Sequence, residues 1–439
     1  MIRRTNLQSI LYLRLLILVT GTIGCSFVTN RLSSRIKQPS TSETSGVIVY
    51  VGTDGNIHTI DQNGEQERLV THDAGEDNLS YLYPTWSPDS RRISYLAIKL
   101  ISGVEQESTL YTVNREGQQA KQIYRSTQDS PFYFYWSPDS EKISFLSATT
   151  SGNELSLSLV PARGGEVQTL GFGQPFYWDW SPDSQSIFIH TGGSAQSNPD
   201  AMLALLVPGE TLQQTELDLH PGAFQAPAWS PHGEELLITT ESGGDQEALM
   251  LIDPAGKIIR TVDETAGPQA FAWSPDASRI ALLHSANDTS GLLRGLKLLD
   301  PQAPGDKQEV ISEDTVAFFW SPDSRKIAYL QPVFSSPQPD VQGVAQTRPQ
   351  VLLSLMIYNL DSKSTHQAAL FNPTDEFLNL IPFFDQYHRS ITLWSPDSQH
   401  LVLSANEDSG SSSIYVVDAS GDEDSVRIAD GNLAFWSWK

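Results

Sequence analysis

Along this chain, short apolar segments end at a tryptophan, break into a polar turn, and resume as alternating apolar and polar positions. Trp86-Ser87-Pro88-Asp89-Ser90 is followed by Ile93-Ser94-Tyr95-Leu96, and period-two alternation of that kind marks a half-buried β-strand. The same five residues recur at 136–140, 180–184, 320–324 and 394–398, with variants at Trp229-Ser230-Pro231-His232-Gly233 and Trp273-Ser274-Pro275-Asp276-Ala277. In each copy an Ile or Leu follows the tryptophan by seven residues: Ile93, Ile143, Ile187, Leu236, Ile280, Ile327 and Leu401. Proline pre-sets φ in the turn, while Ser and Asp side chains accept hydrogen bonds from the exposed turn backbone. The aspartates therefore read as turn formers rather than catalysts.

A second apolar strand follows each hairpin, at 57–61, 110–114, 155–160, 203–207, 249–253, 296–300, 355–359 and 414–418. This series has one member more than the turns, because the segment 47–61 opens without a tryptophan turn of its own. Leu433-Ala434-Phe435-Trp436-Ser437 supplies the missing first strand at the other end of the chain. Four short strands per unit at this spacing predict an all-β, eight-bladed β-propeller of four-stranded antiparallel blades, closed by pairing of the N- and C-terminal segments. The long interval between Trp320 and Trp394 is assigned to two loop-like stretches, 332–350 and 371–389, rather than to a ninth blade.

The first 45 residues differ in character. Arg3 and Arg4 precede an apolar centre at Leu15–Val19, and Thr22-Ile23-Gly24 precede Cys25, the single cysteine; this is the layout of an export signal. Cys25 stands where a bacterial lipoprotein signal places its acylated cysteine, so 1–25 is read as a lipoprotein-type signal and 26–45, rich in Ser and Thr, as a flexible tether. The propeller, 46–439, then lies outside the cytoplasm, periplasmic or at the cell surface, and meets the membrane only through this anchor. With one cysteine, packing alone must hold the fold.

The chain carries 28 Lys and Arg against 52 Asp and Glu. Six of the bases and one acid lie before residue 45, which leaves the propeller with 22 bases against 51 acids. Such a balance disfavours nucleic acid, whose phosphates need clustered cations. The nine histidines are scattered, with no H-E-x-x-H, and no phosphate-cradling glycine loop occurs. His190 and His284 occupy similar places in their blades, and Asp418, Asp422, Glu423 and Asp424 form an acidic turn that lacks calcium-loop spacing. No cofactor, metal or catalytic group is indicated.

The W-S-P-D-S repeats resemble the WD40-like, or PD40, propeller repeats of the TolB family, over residues 46–439. That resemblance implies a periplasmic propeller that binds protein partners. The α/β domain preceding the propeller in that family is missing here. Related repeats occur in prolyl-oligopeptidase-type peptidases, but no G-x-S-x-G nucleophile elbow is present, and in oligogalacturonate lyases, which need clustered metal ligands.

What remains is a binding surface. The segments entering the first strands are aromatic, and Tyr83, Tyr133, Trp178 and, from the run Phe383-Phe384-Asp385-Gln386-Tyr387 in the 371–389 insertion, Phe383, Phe384, Asp385 and Tyr387 are the candidate partner-binding residues, because aromatics with nearby acids grip a peptide or a sugar. The expectation is a monomeric, non-catalytic propeller that binds a protein or peptide. The alternative is a propeller enzyme or binding module acting on extracellular polysaccharide.

Overall fold

The computed structural model describes residues 46–102, 105–148, 154–243, 246–285, 293–303, 308–334 and 351–439. The signal at 1–25, Cys25, the tether at 26–45 and residues 335–350 of the first expected loop lie outside them. Six sheets have four antiparallel strands in sequence order. One runs Leu79–Trp86, Arg92–Ser102, Glu105–Asn114 and Lys121–Ser126. Its two central strands bury Ile93, Leu96, Leu110 and Val113 almost completely, as alternating side chains of neighbouring sheets require.

The remaining sheet corrects the expected count. It has six strands: His400–Asn406, Ser412–Asp418, Val426–Trp436, Ile48–Gly52, Ile57–Ile60 and Arg68–Leu69. The propeller therefore has seven blades rather than eight. The reason is the strand Val426–Trp436, which runs without a break through both units the repeat had separated. Its first half pairs with Ser412–Asp418, as in Ile414 opposite Ala429, and its second half pairs with the N-terminal strand, as in Ile48 opposite Trp436 and Val51 opposite Leu433. The first strand expected around Trp394 is reduced to an isolated bridge to Leu401. The two ends of the chain are thus joined by hydrogen bonds inside one sheet.

The turns explain why the repeat is so regular. Ser87 Oγ donates to Asp89 Oδ1 at 2.6 Å and accepts from the Arg92 N–H at 3.0 Å, and Asp89 Oδ1 accepts from the Arg91 N–H at 3.1 Å. The last residue of six of the turns, Ser90, Ser140, Ser184, Ala277, Ser324 or Ser398, has φ between 58° and 64°, and Gly233 in the seventh has φ 79°, the left-handed region that closes such a turn. These serines also link the blades. Asp89 N–H donates to Ser140 Oγ at 3.1 Å, Asp139 to Ser184 at 2.9 Å, Asp276 to Ser324 at 3.0 Å and Asp323 to Ser398 at 3.0 Å. Lys439 N–H donates to Ser90 Oγ at 2.9 Å and carries the chain of bonds across the closure. Gly233 and Ala277 have no hydroxyl, so the links from Asp183 and His232 are missing.

The tryptophans act in the same direction. The indole N–H of Trp136 reaches Thr85 O at 3.3 Å, that of Trp273 reaches Ala228 O at 3.2 Å, and that of Trp394 reaches Phe319 O at 3.1 Å. Each of these three rings bonds a carbonyl of the preceding unit across the seam, whereas the indole N–H groups of Trp86, Trp229 and Trp436 are buried without a partner among the described residues.

Candidate functional site

The insertion after Phe371 is not a loop on the surface. Thr374 caps a short helix, Asp375–Leu378, and a 3-10 turn at Ile381–Phe383 leads into a second helix, Phe384–Tyr387. This segment enters the middle of the propeller. The ring of Phe384 packs 5.1 Å from Phe318 and that of Tyr387 lies 4.3 Å from Tyr133. Apolar faces at these positions draw the segment inward.

One side chain fixes its depth. Gln386 Oε1 accepts from the Trp178 N–H at 2.9 Å, and its Nε2 donates to the Trp178 carbonyl at 2.9 Å. Trp178 lies in Phe176–Trp180, the innermost strand of its sheet, whose inward backbone groups have no further strand to pair with. A carboxamide offers one acceptor and donors in one plane, so it replaces that strand for one residue. Tyr133 adds a hydroxyl bond to the Gln386 carbonyl at 2.8 Å, and Gln225 Nε2 donates to Pro382 O at 3.2 Å.

Beside this plug lies the main cavity, a funnel of about 530 Å³ that opens on the tryptophan-turn face. Its wall is built from the repeats, with Trp136, Trp180, Trp229, Trp273, Trp320 and Trp394 standing behind a ring of turn prolines. Pro138, Pro182, Pro231, Pro275 and Pro322 are exposed at that rim. The charge sits at the floor, where Asp179, His388 and Arg389 line the funnel. Arg389 Nη2 lies 2.7 Å from Asp179 Oδ2, and the aspartate, 4% exposed, also accepts from the Trp229 N–H at 2.8 Å.

Burial dominates the electrostatics here. It pushes Asp179 up to about 6 despite the arginine and backbone donors that favour its charged form. Asp385, with only backbone N–H groups close by and Arg389 acting weakly, rises to about 7. His388 is driven down to about 3 by burial and by Arg389, so it is a neutral imidazole at physiological pH. Arg389 Nε and His388 Nδ1 are buried with no hydrogen-bond partner among the described residues. The funnel thus offers apolar walls and a few polar atoms at its base, the composition of a recognition site.

Tyr133, Trp178, Phe384 and Asp385, singled out by sequence, are brought together, but in the interior: each is 4% exposed or less. Tyr83 and Tyr387 are half-buried around the same plug, and Phe383 alone, 37% exposed, reaches solvent. The wall of the funnel was missed because its tryptophans and prolines serve the repeat and so carry no separate signal. Arg389 and His388 had none either. The two singled-out histidines are used locally: both ring nitrogens of His190 lie 2.9 Å from the carbonyls of Gln225 and Gly193, and His284 Nδ1 lies 3.1 Å from Ser285 O. Asp418 accepts from the backbone of Ser420, Asp422 and Glu423 and shapes its own turn. Among the described residues no group of three or more His, Cys, Asp and Glu is placed to hold a metal ion.

Set against known proteins, the chain has no match among protein-family models and none among curated sequences. Solved structures do resemble it. Dihydro-heme d1 dehydrogenase NirN, in complex with DHE, superposes with a TM-score of 0.54 at 12% identity, over 94% of this chain and 78% of that one. A eukaryotic initiation factor gives 0.50 at 13% identity, over 90% and 98%. TolB from Acinetobacter baumannii gives 0.40 at 16% identity, over 73% and 79%. The fold in common is the β-propeller. At such identities nothing further follows, since one fold serves a dehydrogenase and an initiation factor alike.

Proposed function

We propose that this protein is a non-catalytic, extracytoplasmic propeller, tethered to a membrane by its N-terminal segment, that holds a peptide segment of a partner protein in the tryptophan-lined funnel. The observation that carries the proposal is the funnel itself. It joins a broad aromatic and proline wall to a single ion pair at its floor, where the plug blocks passage through the ring. An apolar side chain entering it loses water against the indoles, at roughly 25 cal/mol per Å² of apolar surface covered, and polar groups of the ligand meet Arg389 and His388. Location outside the cytoplasm rests on the export-signal layout of residues 1–25.

The test is photo-cross-linking in cells that make the full chain, with the reactive residue placed at Pro138, Pro182 or Pro322 on the rim, or at Ser409 on the opposite face. A discrete protein adduct from the rim positions and none from Ser409 supports the reading. Adducts from Ser409 alone overturn the site. No adduct anywhere, together with binding of the purified chain to a glycan array, overturns the peptide reading in favour of a polysaccharide ligand.

A further inference from the structure

In the sheet that carries Trp229, the strands Leu236–Gly243 and Gln246–Ile252 form a hairpin whose tip lies away from the tryptophan turn. Near that tip Glu241 and Glu247 face each other directly across the pair, a place where like charges repel. Glu241 is exposed, and its Oε1 accepts from Ser194 Oγ at 3.4 Å. Glu247 is 7% exposed. Its Oε2 is buried without a hydrogen-bond partner, and it forms no ion pair among the described residues. Burial pushes its carboxyl up to about 7 against the Ala223 N–H, which favours the charged form, and Glu241 adds to the rise. Nearby, the same problem is met with a base: Asp263, two residues from the Thr265 that pairs with Glu247, lies 2.5 Å from the buried Lys297 Nζ.

The atoms gathered around Glu247 are oxygens that also lack partners. Thr239 Oγ1, Thr265 Oγ1 and Gln269 Oε1 are buried with no hydrogen bond among the described residues, and Thr239 and Gln269 are 0% and 1% exposed. Alternation puts Thr239 on the same sheet face as Glu247, Thr265 pairs directly with Glu247, and Gln269 Nε2 donates to the Glu247 carbonyl at 3.3 Å. Gly222 closes the cluster. A Cβ there would stand 1.9 Å from Glu247 Oε2 and 2.8 Å from Thr239 Cγ2, a close approach that glycine permits. Buried polar atoms are paired as a rule, so four orphaned oxygens in one place point to a partner that binds oxygen lone pairs. A water molecule would satisfy some of them and leave the two carboxylates repelling each other; a cation answers both.

We propose that this cluster is a calcium site, built from the carboxylates of Glu247 and Glu241, the carboxamide oxygen of Gln269 and the hydroxyls of Thr239 and Thr265. Every donor is a hard oxygen, and water on the exposed Glu241 side completes the about six to eight positions that calcium takes. Two carboxylates match its charge. Magnesium fits less well, because it demands a strict octahedron and dehydrates reluctantly. The ion fixes the segment 221–226, whose backbone runs along the site: the Gly222 N–H donates to Thr239 O at 2.8 Å, and Ala223 O accepts from the Gln269 N–H at 2.9 Å. That segment also holds the plug, through Gln225 on Pro382 O and through the Ala226 N–H on Asp385 Oδ2 at 3.3 Å. Calcium thus braces the plug from the face away from the tryptophan turns and leaves the funnel open.

The experiment is titration of the full chain with calcium after chelation, followed by calorimetry, thermal melting and amide hydrogen exchange. Binding should appear with a dissociation constant of about 0.1–1 mM, the range of extracellular calcium modules. At about 10 mM calcium the melting temperature should rise by about 2–3 °C, and exchange should slow over 221–226 but not over the acidic turn at 418–424. Glu247→Gln should abolish the binding heat and the melting shift, yet melt no lower than the parent in chelator, because it removes the uncompensated charge. Glu241→Gln, at an exposed position, should weaken binding by about tenfold and carries the test if Glu247→Gln does not fold. No calcium response in the parent, or one that survives unchanged in both variants, overturns the proposal. An equal response to magnesium overturns it in favour of general screening of an acidic protein. Binding lost in Asp422→Asn and kept in Glu247→Gln places the ion at the 418–424 turn and overturns it as well.

Discussion

The tryptophan turns and the channel plug bury polar groups by opposite means. In a turn, Ser87, Asp89 and the backbone of Arg91 and Arg92 satisfy one another within six residues, and each error stays local. In the plug, Gln386 bonds Trp178 across 208 positions of sequence, and Arg389, just after the plug helix, faces Asp179. Groups satisfied from a distance have no substitute when a partner is lost, so the same kind of hydrogen bond should be worth more in the plug than in the ring of turns.

The largest effect is expected at the funnel floor. Arg389→Met leaves Asp179 as a buried, uncompensated carboxylate and should cost about 3–5 kcal/mol at pH 8, read by urea denaturation. Asp179 already titrates near 6 with the arginine present, so the loss should shrink at pH 5, where the acid takes up a proton. An equal loss at both pH values would mean that the arginine acts by packing.

Asp385 gives a slightly smaller effect of opposite sign. Its carboxyl is raised by burial to about 7, so the folded state holds its proton more tightly than the unfolded chain does. The stability it lends is full below about pH 4 and is lost as pH rises through about 7. Asp385→Asn should therefore be more stable than the parent by about 3 kcal/mol at pH 8 and nearly equal to it at pH 4. Parallel pH profiles for the two proteins would sink this.

Gln386→Leu should cost about 2 kcal/mol at any pH, because two backbone groups of Trp178 lose their partners without a charge being involved. Ser140→Ala removes one link between blades and should cost about 1 kcal/mol. Ala277→Ser restores a link that the ring lacks, at a residue whose φ of 59° matches that of the serine copies. It should stabilise the protein by about 0.5 kcal/mol. If Ser140→Ala proved costlier than Gln386→Leu, the contrast between ring and plug would be broken.

Much of the fold was legible from residues alone. The W-S-P-D-S hairpins and the strands that follow them are local, since proline, serine and aspartate specify a turn wherever they fall together and alternation specifies which strand face is buried. The joining of Ile48–Gly52 to the C-terminal strand was legible too, from a count of half-units. The blade number was not, because whether two adjacent units form two sheets or one depends on the strand Val426–Trp436 pairing on both sides of the junction without interruption, and no residue in it announces that. The site was read less well. Phe383, Phe384 and Tyr387 were visible as an aromatic run in an unusual insertion, but an aromatic run has the same appearance whether it faces a partner or the protein's own channel.

The sequence by itself determined the repeating hairpins and the excess of acid over base, because each follows from residues near one another in the chain or from simple composition. Only the tertiary structure decided that seven sheets close the ring, that Gln386 stands in for a missing strand, and that Arg389 meets Asp179 beneath a wall of tryptophans. These depend on distances between residues far apart in sequence, and burial, which sets the charge of Asp179 and Asp385, is a property of the packed whole.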